Sequence, residues 1–401
     1  MHEIIRQAME LSKAQFEKVE ETALINQRKV LDAFIANKIA LRHFTPTTGY
    51  GYDDVARDTL AAVYKTVFGT EDALVSPLIT SGTHALTIAL FGLLRPNQTL
   101  LCATGNPYDT LNDVIFGDDI GSLKDFGVKC EIVPLKGGLP DISAIKAAIR
   151  RVKPSVVMIQ RSRGYDMRPA LNVAQINQII SLTDKDKTYT LVDNCYGEFV
   201  ETVEPSEADA IVGSLIKNPG GGIAPTGGYI CGSARAIRQI EGRLTAPSIG
   251  REVGSYAGEY RPFYQGLFLA PHTTMQSLKT AMLFSQAFTL LGYETLPKPN
   301  QNFDDIICSV KFGNKDKLID FCKTVQSVSP VDSFAVPEPW DMPGYNDQVI
   351  MAAGAFVQGA SIELSCDAPI RPPYIAYFQG GLTFEHGIIV LEKCLEAIGA
   401  K

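Results

Sequence analysis

The 401-residue chain is 45% hydrophobic and 20% charged, with a net charge of −7, a composition that suits one large globular domain with a smaller one beside it. No basic run is present, which argues against nucleic acid and anionic membrane as partners, and the longest apolar run, residues 85–94, is half of the ~20 residues a bilayer crossing needs. Eight scattered cysteines without a Cys-x-x-Cys pair, five dispersed histidines and a charged start (Glu3, Arg6) exclude a zinc spacing and a secretory signal, and they lead us to expect a cytoplasmic protein with reduced thiols.

Residues 1–40 read as helix, with Ile4, Ile5, Met9, Phe16, Val19, Val30 and Phe34 near helical spacing. A polar loop with Gly49, Tyr50, Gly51 and Tyr52 follows, then a helix from Asp54 to Val67 that ends near Gly69. From about 72 to 232, short apolar runs alternate with helical stretches. Strands are predicted at 99–102, 130–134, 155–159, 188–192, 210–213 and 228–231, and helices at 85–94, 141–150 and 173–183. Near-continuous apolar strands separated by helices predict an α/β fold with a mostly parallel central sheet covered on both faces. Residues 272–291 read as a long helix bridging to a small α+β domain. That domain should hold strands at 306–312, 348–356 and 361–365 and helices at 316–325 and 382–398. The expected organisation is an N-terminal helical arm and loop (1–53), a large domain (54–271), and the bridging helix with the small C-terminal domain (272–401).

Four motifs carry chemistry. Ser81, Gly82 and Thr83 lie between a strand and the helix at 85–94, and their hydroxyls and helix N–H groups suit a phosphate monoester; His84 beside them reads as structural. Tyr108 follows the strand at 99–102, where its ring could stack on a planar ligand. Asp193 closes the strand at 188–192, at the sheet edge where open α/β sheets bind ligands. Lys217 stands 24 residues later in a Ser-x-x-Lys frame, with Ser214 as a further phosphate contact and Pro219 to Gly222 as tight backbone for a bulky ligand. Each motif alone is equally an ordinary cap, turn or loop. Their order along the chain resembles the layout of fold-type-I pyridoxal-phosphate (PLP) enzymes, with a Schiff base on Lys217 and Asp193 on the pyridine nitrogen.

On Ser81 to Ala85, Gln160 to Tyr165, Val192 to Phe199, Ser214 to Gly222 and Arg371 to Tyr374, the chain resembles the methionine γ-lyase/aluminium-resistance-type proteins, relatives of the cystathionine β- and γ-lyases. The resemblance covers nearly the whole chain. It implies a PLP-dependent carbon–sulfur lyase acting on a sulfur-containing amino acid, assembled as a homo-oligomer (a dimer, or a tetramer built from dimers) with shared active sites. It further implies that Tyr52, or Tyr50, reaches the phosphate in a neighbouring subunit, that Arg371 grips the substrate α-carboxylate, and that Arg163 is a candidate contact to the cofactor's phenolic oxygen. The chain departs from its relatives at Ile216, where they carry a threonine. Two alternatives stand beside the lyase: a PLP-dependent aminotransferase or γ-replacement synthase, and a non-catalytic PLP-fold binding protein. A dinucleotide-binding oxidoreductase is disfavoured because no Gly-x-Gly-x-x-Gly turn follows the first strand.

Overall fold

The computed structural model describes residues 2–343 and 345–399. Helix α1 (Glu3–Ala36) is followed by α2 (Val55–Phe68), which starts where the Asp54 side chain accepts the Arg57 amide and stops at Gly69 in the left-handed region (φ 67). Strand β1 (Asp72–Ser76) then leads through a turn into α3 (Gly82–Leu93), and β2 (Thr99–Cys102) precedes the short α4 (Asn112–Phe116). Next come β3 (Lys129–Ile132), α5 (Ile142–Val152), β4 (Val156–Gln160), α6 (Val173–Ile180) and β5 (Tyr189–Asp193). Strands β6 (Ala210–Ser214) and β7 (Gly228–Gly232) complete the large sheet before α7 (Ala234–Glu241).

The sheet order is β1-β7-β6-β5-β4-β2-β3. Strands β6, β5, β4, β2 and β3 are parallel neighbours, while β7 runs antiparallel to both β6 and β1. Leu101, Val157, Ile159, Val192 and Ile211 pack on one face with α2, α5 and α6, and Leu100, Met158, Leu191, Val212 and Ile230 on the other with α3 and α7. Both faces are therefore apolar, which is why these strands read as continuous rather than alternating runs. The parallel strands all end at one edge, and the chemistry-bearing loops collect there.

Helix α8 (Arg261–Leu290) starts 11 residues before the expected position and carries Pro271 in its interior. Proline removes one intrahelical bond, but Phe263, Tyr264, Leu267 and Ala270 are buried in the large core and hold the helix through it. Helix α1 lies along α8; its Val30 and Ala33 enter the large core, and its Ile5, Ala8, Phe16 and Val19 enter the small-domain core.

The small domain holds β8 (Glu294–Leu296), β9 (Ile307–Lys311), α9 (Lys315–Ser327), β10 (Val349–Ala352), β11 (Ser365–Pro369), β12 (Ile375–Gln379) and α10 (Phe384–Ala397). Its antiparallel sheet has the order β10-β11-β12-β9-β8. Cys308, Val310, Ile350, Cys366, Ala368 and Phe378 pack into a core with α8, α9 and α10. Ile307, Ile375 and Tyr377 face the other way and meet Tyr165, Met167 and Tyr196 of the large domain. The strand expected at 361–365 forms at Ser365–Pro369 instead. Residues 361–364 turn because the Glu363 carboxylate accepts the amides of Phe356 and Val357, both at 2.8 Å.

A buried latch joins the two domains. The Arg163 guanidinium pairs with Asp305 (Nη2–Oδ1 3.1 Å, Nε–Oδ2 3.3 Å) and donates to the Leu296 carbonyl at 2.7 Å. Ser162 Oγ and the Ile307 amide complete the shell of Asp305. Arg163 is thus committed to an inter-domain ion pair, a correction to its expected place beside a cofactor oxygen. Because both side chains are fully buried, removing one partner strands a charge. Asp305→Ala should cost about 3–5 kcal/mol, read from the midpoint of chemical denaturation, with Asp305→Asn milder. A loss within about 0.5 kcal/mol for the alanine variant, the range of an ordinary surface substitution, would show that the latch does not hold the domains.

Candidate active site

Helix α3 begins at Ser81, whose extended backbone and side-chain oxygen cap the His84 amide at 3.0 Å. The Thr80 amide donates to His84 Nδ1 at 3.1 Å, so His84 braces the turn. Thr83 Oγ1 lies 2.8 Å from Thr110 Oγ1 in the loop after β2. A Cβ on Gly82 would sit 3.3 Å from Cys195 Sγ and 3.5 Å from Ser214 Cβ. The first turn of α3, the loop after β5 and the end of β6 therefore meet at van der Waals range. Ser81, Gly82, Thr83 and Ser214, separate in the sequence, line one cradle at a helix N-terminus.

Asp193 ends β5, buried, with Oδ1 accepting the Cys195 amide at 3.2 Å. Burial pushes its carboxyl up, and the charge of Lys217 opposes that shift most strongly. Lys217 follows β6 in the turn that leads to Asn218–Gly220, with its Nζ 4.2 Å from the ring centroid of Tyr196. Tyr196 holds that ring in place from a left-handed backbone (φ 72), an uncommon conformation for a side chain of its size. Burial works against the Lys217 ammonium, but negative charge around it, that of Asp193 included, holds it above the ordinary lysine range.

The glycines after Lys217 have a different role from the expected one. A side chain at Gly220 would overlap the Leu215 carbonyl, Gly221 (φ 56) abuts Gly266 of α8, and Gly222 abuts Leu382. They let the lysine turn press against α8 and the small domain, so their crowding partners are protein rather than ligand.

Tyr108 is part of an aromatic wall. Its hydroxyl lies 2.7 Å from that of Tyr345, and its ring is 6.1 Å from Tyr165, tilted by 56°. Burial pushes its phenol well up, so it stays protonated. Arg371 stands at the mouth of the cleft, with Nη1 2.7 Å from Asp347 Oδ2, and lines a cavity of about 230 Å³ with Tyr165 and Tyr377. Tyr52 is exposed (64%) and pairs with Tyr50 at 5.5 Å, outside this chain's own cleft. Cys195, Tyr196, Glu198 and Arg168 also surround the site. The first three lie in the aspartate motif, but nothing in their spacing marks them as neighbours of Lys217. Tyr165 adjoins the Gln160 to Arg163 stretch, whereas Tyr345 carries no local signal.

These residues fit PLP. Asp193 is a buried carboxylate with no ion-pair partner among the described residues, as a ring pyridinium would require. The cradle at α3 suits a phosphate, and Lys217 is the amine beside both.

Beneath Lys217, Glu198 is fully buried and accepts the Tyr229 hydroxyl at 2.6 Å. Burial pushes its carboxyl up to about 8, with the Tyr229 hydrogen bond opposing the shift. The folded chain therefore keeps a proton that the unfolded chain releases near 4.5, and this group's contribution to stability falls as pH rises from about 4.5 to about 8. Glu198→Gln abolishes the titration. The variant's denaturation midpoint should gain on the wild type steadily between pH 5 and pH 8; a pH-independent difference would show that Glu198 is ionised in the fold.

The methionine gamma-lyase family model matches residues 1–399. The chain is 50% identical over 376 residues to YnbB of Bacillus subtilis, covering 92% of this chain and 89% of that one. A carbon–sulfur lyase involved in aluminum resistance from Clostridium novyi NT superimposes with a TM-score of 0.94 at 50% identity, over 98% of this chain and 95% of that one. A Clostridium acetobutylicum protein, provisionally described as a cystathionine beta-lyase involved in aluminum resistance, gives 0.96 at 48% identity, over 99% and 95%. At 16% identity and a TM-score of 0.64, the PLP-dependent protein YhfS of Escherichia coli shares the fold alone. With its sheet order, its cleft and this match over nearly its whole length, the chain belongs to the methionine gamma-lyase family.

Proposed function

We propose that the chain is a PLP-dependent carbon–sulfur lyase that splits a sulfur-containing amino acid by β- or γ-elimination. The observation that carries this reading is the half-buried Lys217 and the buried Asp193 at the ends of neighbouring strands, against the cradle at Gly82. When bound, PLP supplies an electron sink for a carbanion at the substrate Cα. Ser81, Gly82, Thr83 and Ser214 would hold its phosphate, Asp193 its ring nitrogen, and Lys217 Nζ its aldehyde carbon. The Lys217 amine, when neutral and not engaged with the cofactor, would stand beside Cα as the base that accepts the Cα proton. Tyr108, a protonated phenol in the same wall, would stack on the ring and could protonate the departing sulfur. Arg371 offers a planar fork to the substrate carboxylate, which must displace Asp347 to use it.

Several further features support assembly and setting. Tyr52 is exposed on this chain, which suits a role at a neighbouring subunit's phosphate in a homo-oligomer. Among the described residues no helix is long and apolar enough to cross a membrane, and all eight cysteines are free, in keeping with a reducing, cytoplasmic compartment. The test is a panel of cystathionine, cysteine, homocysteine and methionine with thiol, ammonia and 2-oxo acid measured together. Lys217→Ala should remove the visible absorbance of the bound cofactor and lower turnover at least about 100-fold. A coloured, active variant would sink the assignment, and pyridoxamine phosphate without thiol would place the chain among the aminotransferases.

A further inference from the structure

Strand β11 alternates between two environments. Cys366 and Ala368 enter the small-domain core, whereas Asp367 faces the opposite side of the sheet, which lies over Tyr165, Met167 and Tyr196 at the cleft. Asp367 is buried, 7% exposed. Its Oδ2 accepts Gln379 Nε2 at 3.0 Å, and the same amide reaches Ser365 Oγ at 3.3 Å. The Tyr165 hydroxyl lies beside the carboxyl, and Tyr108, Tyr196 and Tyr345 all feel its charge.

A carboxylate in such a place needs a cation. Among the described residues none forms an ion pair with Asp367, and the one cation that bears on it is Lys217. That amine is the group that holds the cofactor, so it cannot remain a permanent partner. Burial raises the carboxyl to about 7, with Gln379, Tyr165 and Lys217 opposing. Near neutral pH a second cation brought into the cleft would therefore hold it ionised. The tyrosines give the same space apolar walls for an alkyl or thioether arm.

We propose that Asp367 is a subsite for a distal ammonium group, and that the preferred substrates are thioether amino acids whose leaving arm ends in an amine. This rests on the lyase reading for its chemistry but can be measured apart from it. S-(2-aminoethyl)-L-cysteine and S-propyl-L-cysteine have the same chain length and differ in the terminal amine. Elimination of the first consumes one water and yields 2-aminoethanethiol, pyruvate and ammonia. Cα gives up its proton, the Cβ–S bond breaks, and the sulfur leaves with the bonding pair and takes a proton.

The wild-type holoenzyme should favour the aminoethyl compound by at least about tenfold in kcat/KM. Asp367→Asn, an isosteric change, should bring the two within about twofold by lowering the aminoethyl value alone. Equal wild-type values overturn the proposal, as does an equal loss on both compounds in the variant, which would instead mark Asp367 as a proton-transfer or structural group. If neither compound is cleaved, β-elimination of S-alkylcysteines fails as the reaction and the subsite still answers to binding. By calorimetry on the holoenzyme, L-lysine should bind at least about tenfold more tightly than 2-aminoheptanoic acid, and equal affinities overturn the proposal. The wild-type comparisons decide the matter even if the variant does not fold.

Discussion

A buried carboxylate, Asp193, and a half-buried amine, Lys217, stand at the ends of neighbouring strands of the large sheet, and much of the molecule is arranged to keep them there. Asp193 closes β5 and Lys217 follows β6, and the parallel register that sets Asp193 against Val212 brings the two loops to the same level. A buried carboxylate such as Asp193 is costly without a cation near it. The Tyr196 ring lies against the Lys217 amine, and the Cys195 amide steadies Asp193. The result is a preorganised pair that water and a flexible loop could not hold in one geometry.

The same pair explains the tight backbone around it. Lys217 reaches its place only because Gly220 and Gly221 let the turn lie against Leu215 and α8, and because Tyr196 adopts a left-handed backbone that puts its ring beside the amine. A neighbouring close approach, of Gly197 to the buried Arg161, ties the aspartate loop to the ion pair of Arg161 with Glu201. The small domain then covers the cleft with the polar and aromatic face of its sheet, held down by Arg163 and Asp305. One face of that sheet is core and the other is roof, so β9, β11 and β12 serve stability and the site through alternate residues.

Much of the large domain was legible because its signals are local. Continuous apolar runs marked β2, β4, β5 and β6 to within a residue or so, and Asp54 and Gly69 bracketed α2 by capping chemistry. The misplacements have one kind of cause. Pro271 reads as a helix boundary until tertiary packing carries α8 through it. The alternating run at 361–365 reads as a strand until Glu363 bonds two amides at 356 and 357 and turns it. Arg163 reads as a cofactor contact until Asp305, distant in the chain, claims its guanidinium.

By itself the sequence determined the fold class, the ends of β2, β4, β5 and β6 to within about a residue, and the order of cradle, aromatic, aspartate and lysine, since each depends on periodicity, caps and turn residues within a few positions. It did not reveal that Tyr108 would meet Tyr345, 237 positions away, or that Asp367 and Gln379 would face Lys217 from a second domain. Those contacts follow from how two sheets dock across α8, a choice made by the burial of whole faces rather than by any local motif. Only the tertiary structure could therefore decide what surrounds Lys217 and Asp193.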